Sequence, residues 1–490
     1  MRMNRAFSRV TGASLIRGNR LRLLKDAGAN YPEWIRAIES AEKCIHFESY
    51  IIHEDQTGCR FADLLSSKAR QGVKVRLIYD WVGARGNSSR SFWRRMMQAG
   101  VEVRCFNPPQ LDSPLGWLSR DHRKIISVDG RIAFISGLCV GQRWLGEPAK
   151  GLDAWRDTGL EIQGPALADI EAGFAETWRV VGEELPDDEI PRRRWIQPQG
   201  DVALRIVSTV PNEASIYRTD HLVAATARRY LWLADAYFLG TTSYVQALTA
   251  AARSGVDVRL LIPGASDIPV IRALSRAGLR PLLEAGVRVF EWNGSMMHAK
   301  TAVADGYWSR IGSTNLNLFS WVGNWELDAI VEDVEFAREM EDAYRDDLAR
   351  STEIVLDARR SHPAPAVRSA VRKKLRIRPG SGGQTAARIA RLSHAVGAAI
   401  TNRRELGPAE KVIMLWGAAL LASVAAISAY WPKVLAFPLA FLCAWLALSL
   451  IVRVIRLGRR SPSTLHSKRE IRTVGAVHNR PPSHHVQGRP

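Results

Sequence analysis

Apolar positions along the first 350 or so residues fall into short runs of two kinds that alternate. Ala-bearing stretches with helical spacing lead into Gly-Val, and the Val opens an apolar run of strand length. This happens in KARQGVKVRLI, Lys68 to Ile78, and in AARSGVDVRLL, Ala251 to Leu261. A second Gly-Val strand follows each, AGVEV at Ala99 and AGVRV at Ala285. Helix, tight turn and buried strand in alternation predict an α/β architecture. KCIHFESYII, ahead of the first of these, and YLWLADAYFL from Tyr230 predict the first strand of each sheet.

The paired segments occur in the same order and at similar separations, which reads as duplication of one domain. The expected organisation is one α/β domain over 15–190 and a second over 200–357, related by a pseudo-twofold axis. The Pro- and charge-rich PDDEIPRRRWIQPQGD lies between them.

Beyond Asp357 the pattern changes. A basic, Pro- and Gly-punctuated linker with a weak helical periodicity covers 358–410; it is either a solvated or core-packing helix or an interfacial one. Two charge-free apolar runs follow, Val412 to Trp431 and Val434 to Val452. Each is long enough at 1.5 Å per residue to cross a hydrocarbon core of about 30 Å, so 411–453 predicts a transmembrane helical hairpin; a buried soluble hairpin is the weaker alternative. Lys411 precedes the pair, and Arg453, Arg456, Arg459 and Arg460 follow it. Both flanks, and the domains before them, are therefore expected on the cytoplasmic side of the cell membrane. The tail 454–490 reads as disordered.

Charge changes the picture only modestly. Sixty-eight Lys and Arg against 49 Asp and Glu give +19, which favours polyanionic partners without choosing between lipid and nucleic acid. Five cysteines without CxxC spacing indicate neither a disulfide framework nor a zinc site. The N-terminus lacks the apolar run of a secretory signal.

The strongest signal is a motif present once per copy at identical spacing: HRKIISVD, His122 to Asp129, and HAKTAVAD, His298 to Asp305. On a strand, His and Lys two apart share a face. Two copies facing each other would gather His122, Lys124, His298 and Lys300 around one cleft. One imidazole can attack phosphorus, the other can move the proton, and two ammonium groups can neutralise the nonbridging oxygens. No metal or cofactor is required. Asp129 and Asp305 complete the motif and are grouped with the catalytic residues, as structural groups rather than proton carriers.

The two motifs resemble the HKD signature of the phospholipase D superfamily, over roughly residues 15 to 357. The resemblance implies two phospholipase D-like α/β sandwich domains. The second copy is close to the family pattern, with Gly312, Ser313 and Asn315, then Asn324 and Glu326. The first departs from it, carrying Ser136, Gly137 and Cys139, so a thiol stands where the family has Asn. WRDTGLEIQGPA from Trp155 resembles the matching segment of bacterial cardiolipin synthases. By that resemblance Asp157 orients one catalytic imidazole, Glu326 orients the other, and His122 is the nucleophile with His298 as general acid and base.

What the resemblance implies is a phosphatidyltransferase acting on anionic phospholipid, phosphatidylglycerol above all. A phospholipase D that passes the group to water is the alternative. A nuclease and a degenerate scaffold are disfavoured, the first by the apolar hairpin and the second by the intact motifs. Oligomeric state is left open.

Overall fold

The computed structural model describes residues 2–109, 118–187 and 189–356, with scattered positions between 422 and 451. The chain divides into two compact units. One comprises Met1–Pro108 and Leu118–Ala418. The other comprises Pro109–Trp117 and Ala419–Pro490; its described positions from 422 to 451, among them Tyr430, Phe441 and Leu448, are helical and mostly exposed. Among the described residues no helix is long and apolar enough to cross a membrane. The linker 358–410, most of 411–453 and the tail 454–490 lie outside the described residues.

The first unit is built on one sheet of fifteen strands. Its first seven are β1 (Ile16–Lys25), β2 (Cys44–Ser49), β3 (Lys74–Asp80), β4 (Glu102–Phe106), β5 (Lys124–Val128), β6 (Ile132–Ser136) and β7 (Thr158–Gln163). The remainder are β8 (Val202–Thr209), β9 (Tyr230–Ala234), β10 (Asp257–Pro263), β11 (Arg288–Trp292), β12 (Thr301–Ala304), β13 (Trp308–Gly312), β14 (Glu326–Glu332) and β15 (Ser351–Ile354). Outward from the centre the order is β1-β7-β6-β5-β2-β3-β4 on one side. On the other it is β8-β14-β13-β12-β9-β10-β11, with β15 added at the edge. Each strand of one half thus has a counterpart at the same distance from the middle, where β1 and β8 pair antiparallel through Ile16↔Leu204 and Asn19↔Val202.

The segments expected to open each sheet, Cys44–Ser49 and Tyr230–Ala234, are instead the second strands; β1 and β8 precede them. In β1, IRGNRLRLLK, arginines interrupt the apolar positions and only Ile16, Asn19 and Leu24 are buried, so its strand pattern is weak.

In β2 nearly every residue is buried because both faces are covered. Ile45 and Phe47 join a core with the helices Asp26–Glu39 and Gln56–Arg70. From the other face His46 stacks on Phe174 and bonds Glu171, both on the helix Leu167–Val180. A further cluster joins Ile125, Ile135 and Leu160 of the first half to Leu204, Leu327 and Val331 of the second, so the halves share a core. The repeated Gly-Val turns have a backbone cause: Gly72, Gly100, Gly255 and Gly286 all take φ near +90°, open to glycine at little cost.

Candidate active site

Both motif histidines stand just before a strand rather than on it. Lys124 is the first residue of β5, His122 lies two residues ahead, and His298 and Lys300 likewise precede β12. Strand periodicity therefore does not place them. Instead each histidine is held by the other half of the chain, twice over. The His122 backbone N–H donates to Trp325 O at 2.9 Å and the His298 N–H to Arg156 O at 2.7 Å. The next residue in each case supplies the carboxylate. His122 Nδ1 lies 3.0 Å from Glu326 Oε2 and His298 Nδ1 lies 2.7 Å from Asp157 Oδ2. With Nδ1 engaged, Nε2 is the nitrogen available for chemistry.

The two pairs differ in their surroundings. Burial alone would raise the Glu326 carboxyl, but His122, Lys124 and Ser313 outweigh it and hold it below the usual range. Ser313 Oγ donates to Glu326 Oε2 at 2.5 Å, Asn324 Nδ2 donates to Oε1 at 3.3 Å, and Ser313 O also lies 3.0 Å from His122 Nδ1. Asp157 accepts from the Thr158 N–H at 2.7 Å, and burial pushes its carboxyl up to about 6 against the opposing pull of Lys300. Gly137 stands where Ser313 stands in the second half, and a Cβ there would meet Asp157 Oδ1 at 2.3 Å. The shorter carboxylate needs that space.

The four basic groups of the two motifs sense one another. His298 is held well below the ordinary imidazole value, first by burial, then by Lys300, Lys124 and His122. His122 is lowered as well, by burial and both lysines, although Glu326 opposes them. Burial brings Lys300 down to about 8 even with Asp157 near it. Each lysine Nζ turns back to donate to the carbonyl of its own motif histidine. Cys139 and Asn315 are buried, and burial raises the Cys139 thiol while both lysines pull against it.

Asp129 and Asp305 are not in the cleft, which corrects their grouping with the catalytic residues. They follow β5 and β12 at the far end from the histidines, about 16 Å from the motif lysines at 3.3 Å per residue. Both adopt φ +54° and cap the chain entering the neighbouring strand. Asp129 accepts from the N–H groups of Glu42, Lys43 and Cys44 at 2.8–2.9 Å. Asp305 does the same for Arg228, Arg229 and Tyr230 at 2.8–3.1 Å. The strand between motif Lys and Asp is thereby pinned at the end remote from the chemistry.

Sequence reasoning missed the supporting groups. Tyr50 packs edge-on against His122 with centroids 5.2 Å apart, and Tyr237 against His298 at 5.9 Å. Trp155 lies 5.6 Å from His298. Arg123, between His122 and Lys124, is fully buried and donates to Gly173 O, Thr177 Oγ1, Ser208 Oγ and Glu326 O, tying the motif to both halves. Beside it the buried Glu48 and Asp121 carboxyls are both pushed up, chiefly by burial. An Arg inside the first motif was visible in HRK, but its partners come from three separated segments, the helix Leu167–Val180, β8 and β14. Among the described residues no group of three His, Cys, Asp or Glu is placed to hold a metal ion.

Comparison with known proteins agrees with this arrangement. A family model described as "Cardiolipin synthase, PLD-like domain" matches residues 34–178 and 223–348. The chain is 32% identical over 346 residues to a cardiolipin synthase of Alkalihalophilus pseudofirmus, covering 70% of this chain and 68% of that one. It is 32% identical over 369 residues to cardiolipin synthase A of Pseudomonas fluorescens Pf-5, covering 73% and 74%. In fold it is similar to the crystal structure of phosphatidylserine synthase from Haemophilus influenzae Rd KW20. That match has a TM-score of 0.56 at 13% identity and covers 72% of this chain and 92% of that one. With two HKD motifs gathered by one duplicated sheet, the chain belongs to the cardiolipin synthase family of PLD-like proteins.

Proposed function

We propose that this protein is a cardiolipin synthase-like phosphatidyltransferase that exchanges the alcohol of an anionic phospholipid through a phosphohistidine. The observation that carries the reading is the reciprocal hold on the two imidazoles, each fixed through Nδ1 by a carboxylate of the opposite half. Such a pair can serve one phosphorus from two sides.

In this reading His122 Nε2 attacks the phosphorus of one phosphatidylglycerol. The bond from phosphorus to the glycerol headgroup breaks, and His298 gives the departing alkoxide its proton. The headgroup hydroxyl of a second phosphatidylglycerol then loses its proton to His298 as its oxygen attacks the phosphohistidine, which frees His122 and leaves cardiolipin. Glu326, anionic beside His122, stabilises the charge on the phosphorylated imidazole. Lys124 and Lys300 face the nonbridging oxygens. The single negative charge of a bound diester also offsets part of the two lysine charges that lower His298, which suits it to carry a proton once substrate is present. Gly137, Ser313, Asn315 and Asn324 shape the pocket and hold the carboxylates; Asp129 and Asp305 set the strands.

The domain division at 15–190 and 200–357 belongs to the same reading. So does a membrane hairpin at 411–453 that keeps the catalytic part beside its lipid on the cytoplasmic face; the charge-free runs and the arginines after them support it. The test is purified full-length protein in phosphatidylglycerol vesicles with His122→Ala as control. Cardiolipin and free glycerol in equal amounts, absent in the variant, are expected. Phosphatidic acid in their place would make the enzyme a hydrolase.

A further inference from the structure

Some of the large apolar side chains left in solvent stand at the rim of the cleft. Leu318 and Phe319, 51% and 74% exposed, begin the short helix Leu318–Val322. At one end of this turn Asn317 Nδ2 donates to Tyr237 O at 3.1 Å, and the Tyr237 ring packs on His298. At the other end the Asn324 N–H donates to Phe319 O at 2.9 Å, and the Asn324 side chain donates to Glu326, the partner of His122. The two exposed side chains therefore sit on a turn tied to both half-sites. Next to it, Val270 is 63% exposed, three residues past Asp267, whose carboxylate accepts from Tyr237 Oη at 2.8 Å.

Guanidinium groups also stand near these tips. Exposed Arg143 lies 5.5 Å over the Trp155 ring, which itself packs on His298. Exposed Arg85 lies 5.6 Å over Trp81, and Trp81 follows Asp80, which binds the Asp121 N–H beside His122. Apolar tips with guanidinium–tryptophan pairs around one opening match the layering of an anionic bilayer: acyl chains within, phosphates above them, and aromatic rings at the boundary. Other exposed apolar groups, Tyr307 and Val334, stand at the far end of β12 to β14 and have no part in the rim.

Resting on the lipid-transfer reading above, we infer that the rim of the cleft docks directly on an anionic phospholipid bilayer. Leu318 and Phe319 enter the acyl region and Arg85 and Arg143 meet headgroup phosphates, so the headgroup reaches the histidines while the acyl chains stay in the membrane. This contact belongs to the catalytic unit and is separate from any anchor in the C-terminal region.

The test compares full-length wild type with the Leu318→Ser/Phe319→Ser double variant on two substrates. One is phosphatidylglycerol in vesicles diluted with phosphatidylcholine; the other is dibutyryl phosphatidylglycerol dissolved in water. Glycerol release is the readout. The expected result is a rise of about tenfold or more in apparent KM for vesicle lipid, with kcat/KM on the soluble diester unchanged. Phe319→Leu should restore vesicle activity, and Val334→Ser should behave as wild type. Equal vesicle activity in the double variant, or equal loss on both substrates, would overturn the docking surface. A wild type inactive on both would instead remove the lipid-transfer reading, and this inference with it.

Discussion

The two half-sites are delivered by strands in matching order, yet their histidines are held differently. For His122 the orienting group is Glu326 of the opposite half, reached by Ser313 Oγ, Asn324 Nδ2 and the imidazole together. For His298 it is the shorter Asp157, again lent by the opposite half, with one backbone N–H and a glycine where the other side has a serine. One extra methylene brings Glu326 within reach of side-chain donors that hold it anionic, while Asp157, equally buried, lacks them and has its carboxyl near 6. Duplication supplies the frame, and divergence at a few positions gives two imidazoles suited to different work.

The largest expected effects test whether both imidazoles are needed. His122→Ala and His298→Ala should each lower kcat on the order of 10³-fold or more with unfolding transitions unchanged, because covalent and acid–base catalysis fail separately. With labelled lipid, the phosphatidyl group that forms slowly in His298→Ala should sit on His122; label on His298 in His122→Ala would reverse the assignment. Next come the carboxylates. Glu326→Gln and Asp157→Asn should each cost roughly 10²-fold or more by loosening the imidazole they orient. If Glu326→Gln costs no more than Asp157→Asn in phosphoenzyme formation, the electrostatic contrast between the halves does not matter for attack.

Space provides a sharper contrast. Gly137→Ala puts a methyl against a buried, hydrogen-bonded carboxylate and should reduce kcat by about 10- to 100-fold through displacement of Asp157. Ser313→Ala, which removes the donor to Glu326 and the acceptor of the Leu327 N–H but adds no bulk, should cost less; the opposite ranking would show that the glycine is not there to make room.

The pH profile follows from three groups of the His298 half-site. Asp157 must be ionised to accept from His298, and its carboxyl near 6 means that kcat/KM falls as pH drops through that value. Lys300 must be protonated, and its value near 8 means that kcat/KM falls as pH rises through it. His298 must carry its proton as well and is held well below the ordinary imidazole value, so a first decline with rising pH precedes the alkaline limb that Lys300 sets near 8. Lys300→Arg should move the alkaline limb out of range, and an unshifted limb would assign it elsewhere.

The smallest catalytic effects belong to the motif aspartates. Asp129→Ala and Asp305→Ala each strand three backbone N–H groups and should lower stability by about 1–3 kcal/mol in urea unfolding. Turnover of the folded fraction should change little. A 10²-fold loss with normal stability would return these residues to the chemistry.

Much of this was legible before the fold. The Gly-Val turns, the buried strands and the two motifs are local patterns in which a residue's neighbours in sequence are also its neighbours in space. The identity of the orienting carboxylates was accessible only through family resemblance, since Asp157 and Glu326 lie 141 and 204 residues from the histidines they hold. β1 was hidden because its arginines, lying at partly exposed positions near the seam, break the apolar alternation. Arg123 showed only its place in HRK, and Tyr50, Tyr237 and the Glu48–Asp121 pair left no readable trace, because ordinary residue types become significant only when folding removes water from around them.

The sequence by itself therefore determined that the chain is duplicated, that each copy is α/β, and that histidine and lysine recur at one spacing suited to phosphodiester chemistry. Tertiary structure decided how the copies meet: β1 pairs with β8, each half lends its carboxylate and its backbone carbonyl to the other's histidine, and the motif aspartates are turned away from the cleft. The physical reason is range. Periodicity and turn chemistry act over a few residues, whereas the charge on an imidazole is governed by burial and by groups that only packing brings within a few ångströms.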